Sequence, residues 1–344
     1  IRIEAPETAA MASLRWPGRP HLPEGNPAWT YMVEAPGAKF AVFVGHVENG
    51  YPDPFEVWVN GAEQPRGIGA IAKALSMDMR ASDPQWLERK LESLAEVGGE
   101  TFVLDGPAGE TAVPSTVAAF AKVIRHREEA LGYLDREDLG SPVLDAMFAI
   151  KEPKTRPDGG MGWYADVRNP QTGDDFVMWV KELTLGGERR PFSIWLSGEY
   201  PRSLDGLAKV LSFDLRVFDP AWIGAKLRTL LDFPEAHGDF FAKDPVTGKG
   251  RSWPSTVAYM ARLLVHRLAM LGILDEDGYP LAPLGVLEAP EQAADNAETT
   301  LRAAGAAENA ILAGSRCGEC GNYAVIKRDG CSFCTACGAQ GDCG

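Results

Sequence analysis

The chain has 344 residues, of which 45% are hydrophobic, and its formal net charge at pH 7 is −14. This length allows two or three domains of about 100–150 residues each. The acidic balance disfavours nucleic acid and anionic lipid as partners, and no apolar run approaches the roughly 20 residues of a transmembrane helix.

Elements can be predicted in chain order for the first third of the sequence. Residues 39–47 and 55–59 have the alternation of half-buried strands, joined by the turn Glu48-Asn49-Gly50. Residues 68–79 have helical spacing, and Asp83-Pro84 is typical of a helix start because Asp caps free amides and Pro fits the first turn. A last helix is predicted from Ser115 to Leu131-Gly132.

The same elements return later in the chain as an internal repeat. Pro54-Phe55-Glu56-Val57-Trp58 recurs as Pro191-Phe192-Ser193-Ile194-Trp195, and Asp83-Pro84-Gln85-Trp86 recurs as Asp219-Pro220-Ala221-Trp222. The order of the matched segments is preserved, and a unit of about 120 residues is too long for a solenoid repeat, whose period is about 20–50. The sequence therefore predicts a duplicated two-layer α+β domain.

Composition divides the chain into five predicted segments. These are a first repeat (15–135), a linker rich in Pro, Gly and charge (136–160), a second repeat (161–275), an Ala-rich flexible linker (276–315) and a cysteine tail (316–344). The first residues, Ile1-Arg2-Ile3, include no initiator Met, and no signal peptide follows. We therefore expect a piece of a longer polypeptide or a trimmed chain.

All six cysteines lie between Cys317 and Cys343, which is unlike the spread of cysteines in a secreted disulfide scaffold. Crowding in one tail indicates metal or redox chemistry in the cytoplasm. Two stretches read Cys-x-x-Cys-Gly, so that paired thiolates can face one ion and glycine permits the tight turn after them. The pattern predicts a zinc ribbon in which four thiolates bind one Zn²⁺, namely those of Cys317, Cys320, Cys334 and Cys337.

Two cysteines remain outside this ligand set. Cys331 precedes the second knuckle, and Cys343 is next to the end of the chain. One interpretation is a small buried residue and an incidental exposed thiol. The other is a dithiol that cycles with a disulfide and exchanges with a partner.

Paired residues of the repeat have structural and functional interpretations. Trp58/Trp195 and Trp86/Trp222 are predicted core anchors, with a shared ligand groove as the alternative. His126 and His266 are predicted to contact backbone or acid from a helix face. Arg66/Arg202 and Arg80/Arg216, which recur with Asp78/Asp214, could hold an anion or form ion pairs between helix and sheet.

The tail from Cys317 to Cys343 resembles the C-terminus of adenosylcobalamin-dependent (class II) ribonucleotide reductases. The shared pattern is Cys-x-x-Cys-Gly, a short hairpin, Gly-Cys-x-x-Cys-x-x-Cys-Gly and a last cysteine. The duplicated domain, best in residues 19–46, 55–66 and on to Arg80, also resembles the accessory region before that tail in longer members of the family.

This resemblance implies a role in making deoxyribonucleotides. In the family, each turnover oxidises two active-site cysteines, and a flexible C-terminal cysteine pair reduces them before a thioredoxin-like reductant recharges the pair. Cys331 and Cys343 would play that part here, with Cys337 and Cys343 as the alternative pair. No cysteine precedes Cys317, so the catalytic barrel and its adenosylcobalamin would belong to another domain or subunit.

We therefore expect a non-catalytic C-terminal part, or a separate subunit, of a ribonucleoside-diphosphate reductase. Its partners would be the catalytic domain or subunit and a thioredoxin-like reductant, with no membrane. The alternative is a zinc-ribbon adaptor that binds a protein or nucleic-acid partner.

Overall fold

A computed structural model describes residues 8–15, 25–48, 51–155, 157, 159–185, 187–281, 315–316, 323–328, 331–334 and 340–343. Within these ranges the chain is a mixture of helices and small antiparallel sheets, which confirms the predicted α+β class. None of the helices in these ranges combines the length and apolar character needed to cross a bilayer.

The first repeat forms a three-stranded sheet, two helices, a hairpin and a last helix. Its elements are β1 (Ala28–Ala35), β2 (Ala38–Glu48), β3 (Pro52–Asn60), α2 (Ile68–Met79), α3 (Pro84–Ala95), β4 (Phe102–Gly106), β5 (Gly109–Val113) and α4 (Thr116–Ala130), preceded by α1 (Ala9–Ala12). Strands β2 and β3 and the three long helices were predicted, whereas β1 and the β4–β5 hairpin were not.

The second repeat forms the same elements in the same order. They are β6 (Gly162–Asn169), β7 (Asp174–Leu185), β8 (Glu188–Glu199), α6 (Ser203–Asp214), α7 (Pro220–Leu230), β9 (Phe240–Lys243), β10 (Gly250–Trp253) and α8 (Thr256–Met270). A 3₁₀ turn (Glu137–Leu139) and α5 (Pro142–Asp145) precede them, within the stretch for which the sequence predicts a linker.

Helix starts follow the capping residues of the sequence. The Asp83 side chain accepts from the Trp86 amide at the start of α3, and Ser115 accepts from the Ala118 amide at the start of α4. After α4 the chain turns at Gly132, whose φ of 69° is readily adopted by glycine. These local signals explain why the predicted helix boundaries agree with the structure.

Two short helices each form hydrogen bonds with the repeat that they do not precede. Helix α5, which precedes the second repeat, donates the amides of Val143 and Leu144 to Asp83 of the first repeat at 2.8 and 2.9 Å. Helix α1 precedes the first repeat, and its capping residue Thr8 donates a hydrogen bond to Asp219 of the second. The helix that precedes each repeat therefore bonds to the other repeat and links the two.

One hydrophobic core includes residues from both repeats. Helices α2 and α6 meet at its centre, where Gly206 allows close approach, because a Cβ there would lie 2.7 Å from Ile71 Cδ1. Each helix is fixed to its own sheet by a buried serine. Ser76 contacts Val57 in the first repeat, and Ser212 accepts from the Ile194 amide in the second.

A buried ionic cluster lies where the repeats meet, formed by Asp78, Lys90, Asp214 and Lys226. All four side chains are fully buried. Lys90 Nζ lies 2.9 Å from Asp78 Oδ2 and 2.6 Å from Asp214 Oδ1, and Lys226 pairs with both carboxylates. Two positive and two negative charges therefore balance inside the core, which is the condition under which buried ions are tolerated.

The tryptophan pairs have different environments from one another. Trp86 and Trp222 are fully buried, and their indoles donate to Asp78 at 2.6 Å and Asp214 at 2.7 Å, so their prediction as core anchors is confirmed. The prediction for Trp58 and Trp195 is wrong, since they are 52% and 58% exposed. They lie on the outer faces of the sheets because strand side chains alternate between faces, and their neighbours face the core.

Candidate functional site

The C-terminal cysteine tail contains a small antiparallel sheet with β11 (Ser315–Arg316), β12 (Tyr323–Arg328), β13 (Cys331–Cys334) and β14 (Gln340–Cys343). The β12–β13 pair is in regular register, with Val325 opposite Cys334 and Arg328 opposite Cys331. The hairpin that the sequence predicts between the two cysteine knuckles is therefore β12–β13.

The sheet places the two remaining cysteines on neighbouring strands. Cys331 of β13 is paired with Cys343 of β14 in the backbone register, and Cys331 is disulfide-bonded. Opposed residues in antiparallel strands have Cα atoms about 4.5–5.5 Å apart, within the range of about 4.4–6.8 Å that a disulfide spans. The register is thus compatible with a cystine between these two positions.

The two cysteines at the ends of strand β13 lie on opposite faces of the sheet. Cys331 and Cys334 are three residues apart, so their side chains point to opposite faces of the sheet. Cys334 is buried, and Cys331 is half-buried. A single ion cannot readily bind both thiolates in this strand, which fits the division of the tail into one metal set and one redox pair.

The predicted zinc ligands other than Cys334, namely Cys317, Cys320 and Cys337, lie outside the described residues. In the ranges that the structure does describe, there is no group of three or more His, Cys, Asp or Glu side chains that could hold a metal ion. The four-thiolate site therefore stays a prediction from spacing.

The paired histidines contact neighbouring side chains. His266 Nδ1 lies 2.9 Å from a Glu276 carboxylate oxygen, which confirms the predicted contact from a helix face to an acid. His126 instead meets the Tyr31 ring edge-on, with ring centroids 6.4 Å apart.

The paired arginines connect helices to sheets. Arg80 and Arg216 donate to the strand carbonyls of Phe55 and Phe192 at 3.2 and 3.3 Å. Asp78 and Asp214 instead pair with the two lysines of the buried ionic cluster.

A further difference between the repeats was not predicted from the sequence. In the second repeat, Arg267 forms a buried bidentate pair with Glu182, with N–O distances of 2.5 and 2.7 Å. At the equivalent place in the first repeat, Arg127 lies 3.2 Å from His46 Nε2. Because a guanidinium only donates, His46 accepts here through Nε2.

The first repeat also has an acid beside Arg127 on helix α4, Glu128. It is fully buried, and neither of its carboxylate oxygens has a hydrogen-bond partner. Burial raises its pKa to about 8, against the opposing effect of Arg127. The equivalent residue of the second repeat is Leu268, so the aligned repeats themselves carried a signal for this site.

No protein-family model, curated protein or solved structure matches this chain. A disulfide such as the one that Cys331 forms can accept two electrons from external thiolates and pass them on as a dithiol.

Proposed function

We propose that the chain is a non-catalytic C-terminal part, or a separate subunit, of an adenosylcobalamin-dependent ribonucleotide reductase. Its cysteine tail carries reducing equivalents from a thioredoxin-like reductant to the active site of the catalytic domain. The observation that supports this is the disulfide-bonded Cys331, whose backbone partner across the sheet is Cys343. The cytoplasm is the setting in which such a pair would be recharged.

The proposed relay has two exchange steps. A thiolate of the reductant attacks the tail disulfide, forms a mixed disulfide and is displaced by its own second thiol, which leaves Cys331 and Cys343 as a dithiol. One tail thiolate then attacks the disulfide of the catalytic domain, and the second tail thiol resolves the mixed disulfide. Two electrons and two protons pass to the active site, and the tail disulfide is restored.

A zinc ion on Cys317, Cys320, Cys334 and Cys337 would have a structural part in this scheme. It would fold a module too small to build a sufficient apolar core. The buried position of Cys334, on the face of β13 opposite Cys331, supports this separation of the metal site from the redox pair. Adenosylcobalamin would bind the catalytic domain, which this chain does not include.

The test combines the full chain with a class II catalytic domain that lacks its own tail. We expect multiple turnovers with thioredoxin as reductant, and loss of those turnovers in Cys331→Ser and Cys343→Ser. A small dithiol that enters the active site directly should restore both variants. Ser332→Ala, beside Cys331 in the same strand, is the matched control and should retain thioredoxin-dependent turnover.

Thiol counting separates the two parts of the proposal. If thioredoxin reduces the tail disulfide but no deoxyribonucleotide forms, the relay stands and the reductase assignment fails. If the disulfide resists thioredoxin and both serine variants turn over normally, the relay is wrong. The zinc-ribbon adaptor then becomes the better account.

A further inference from the structure

The two repeats differ at a site where Arg66 of the first repeat contacts the second. Arg66 of the first repeat reaches Asp174 of the second and forms a bidentate pair, with N–O distances of 3.0 and 2.6 Å. The Thr256 hydroxyl, at the first residue of α8, donates to the same carboxylate at 2.6 Å. A carboxylate is thus held between an arginine of one repeat and a helix start of the other.

The strand register and the helix starts identify the first-repeat residues that correspond to Asp174 and Thr256. Asp174 opens β7 opposite Asn169, and Ala38 opens β2 opposite Ala35. Thr116, at the first residue of α4, corresponds to Thr256, and Arg202 corresponds to Arg66. The arginine and the threonine are therefore retained, and the carboxylate is replaced by a methyl group.

A second acid of the second repeat also has no counterpart in the first. The Glu235 carboxylate lies 3.9 Å from Arg66, and its side chain is buried. Its counterpart is Gly99, because Ser255 donates to the carbonyl two residues before Glu235 and Ser115 donates to the carbonyl two residues before Gly99. Both carboxylates near Arg66 therefore have no equivalent near Arg202.

An open cavity of about 510 Å³ occupies this place, lined by Ala38, Gly99, Thr116 and Arg202 together with Glu63, Glu100 and Phe102. Its volume lies within the range of about 300–1,000 Å³ for small-molecule pockets. The Arg202 side chain is 68% exposed and donates to the Tyr200 hydroxyl at 3.2 Å, with the Asp205 carboxylate 3.9 Å away.

We propose that this cavity binds the carboxylate of a small organic acid between Arg202 and Thr116, in the place that Asp174 occupies in the second repeat. Arg202 forms the bidentate pair that Arg66 forms with Asp174, and the start of α4 adds its hydroxyl and helix dipole. The exposed Glu63 and Glu100 carry negative charge at the pocket, which favours a monoanion over a phosphate dianion. Phe102 offers an aromatic surface to the rest of the ligand.

The test uses propionate as the probe and ligand-observed saturation-transfer NMR on the full chain. We expect binding to the parent chain and at least about tenfold weaker binding to Arg202→Gln because a charge-assisted pair is lost. Phosphate, which has no C–H signal, is added as a competitor, and we expect it to displace propionate only at a higher concentration than propionate itself requires to bind. Arg168→Gln is the control, since Arg168 is an exposed arginine on β6 with only an exposed acid 3.7 Å away. This control should bind like the parent.

Ala38→Asp provides an independent readout. It restores the internal carboxylate, so it should abolish propionate binding and raise the unfolding midpoint. Undiminished propionate binding to Arg202→Gln or to a folded Ala38→Asp, or no binding to the parent chain, overturns the proposal. Tighter binding of phosphate overturns the assignment to a carboxylate. Because Arg202 is exposed, the Arg202→Gln variant is expected to fold and decides the question even if Ala38→Asp does not.

Discussion

Replacement of the buried Glu128 by leucine should stabilise the protein, and more strongly at high pH. Glu128 has an ordinary pKa of 4.5, and burial raises this pKa to about 8 in the folded chain. At pH values between these two pKa values, the carboxyl group of Glu128 takes up a proton when the chain folds. Its cost to stability is therefore absent below about pH 4.5, grows as the pH rises, and reaches its full size above about pH 8.

The size of the effect follows from linkage. At pH 6 the folded chain holds a proton that the unfolded chain releases, which costs about 2 kcal/mol at 1.36 kcal/mol per pKa unit. At pH 9 the ionised carboxylate is buried, and the cost approaches about 5 kcal/mol. Leucine carries no such cost, and it is the natural residue at the equivalent position of the second repeat, Leu268.

Chemical denaturation of Glu128→Leu and the parent chain at pH 6 and pH 9 measures this difference. We expect the gain in free energy of unfolding to increase by about 2–3 kcal/mol between the two pH values. Glu129→Gln is the matched control, because Glu129 is an exposed acid on the same helix that pairs with Arg125. Equal gains at both pH values, or a loss at pH 9, would refute the description of Glu128 as a buried acid that ionises at a cost. Tyr31, Arg127 and Tyr133 are the other titratable groups that interact with Glu128, and the substitution retains them.

Two further predictions concern the interface and the helix starts. Lys90→Met should lower the free energy of unfolding by about 3–5 kcal/mol, since it leaves two buried carboxylates facing one lysine. The double variant Lys90→Met with Asp78→Asn should recover part of this loss in the same denaturation assay. If it recovers none, charge imbalance is not the cause of the loss. Ser115→Ala should cost about 2 kcal/mol by thermal unfolding, because Ser115 both caps α4 and donates to the buried Val97 carbonyl at 2.6 Å. Ser255→Ala, which removes the equivalent two bonds at α8, should cost a similar amount, and a clear inequality would contradict the cap explanation.

The helices were predictable because their signals are local. Asp83 and Ser115 cap the first turns of their own helices, and Gly132 ends one, so a short stretch of sequence contains the whole cause. Strand β1 and the β4–β5 hairpin were missed. Their pairing depends on partner strands, and β1 has only one buried residue, Val33.

The buried ionic cluster was missed for a different reason. A lysine on an amphipathic helix is ordinarily exposed, and the acid that Lys90 meets most closely is 124 positions away, at Asp214. One signal was nevertheless present. Lys90 lies on the same helix face as Trp86 and Leu94, and the second repeat has Lys226 at the matching position.

In the tail, the spacing predicted four zinc ligands, and elimination together with the family resemblance left Cys331 and Cys343 as the redox pair, with Cys337 and Cys343 as the alternative. The strand register is compatible with the pairing of Cys331 and Cys343. The sequence did not predict that residues 331–334 form a strand. Because they do, Cys331 and Cys334, three residues apart, point to opposite faces of the sheet. The tryptophan prediction was wrong although the alternation was visible in the sequence: Val57 and Trp58 are neighbours in β3, so a buried Val57 places Trp58 on the outer face.

The two repeats agree at the buried ionic cluster and differ at the Arg66–Asp174 contact, although both features lie between the repeats. An Asp, a Lys and a Trp recur in both copies because each copy supplies half of a neutral cluster, and a change in one copy alone would leave a buried charge unbalanced. Asp174 is not part of that cluster, and its partners Arg66 and Thr256 could form the same hydrogen bonds with any other carboxylate. The first repeat has Ala38 where the second has Asp174, and Ala38, Arg202 and Thr116 line the cavity at that place. The cluster that both copies share fixes the scaffold, and the position at which they differ is the one where we propose that a ligand binds.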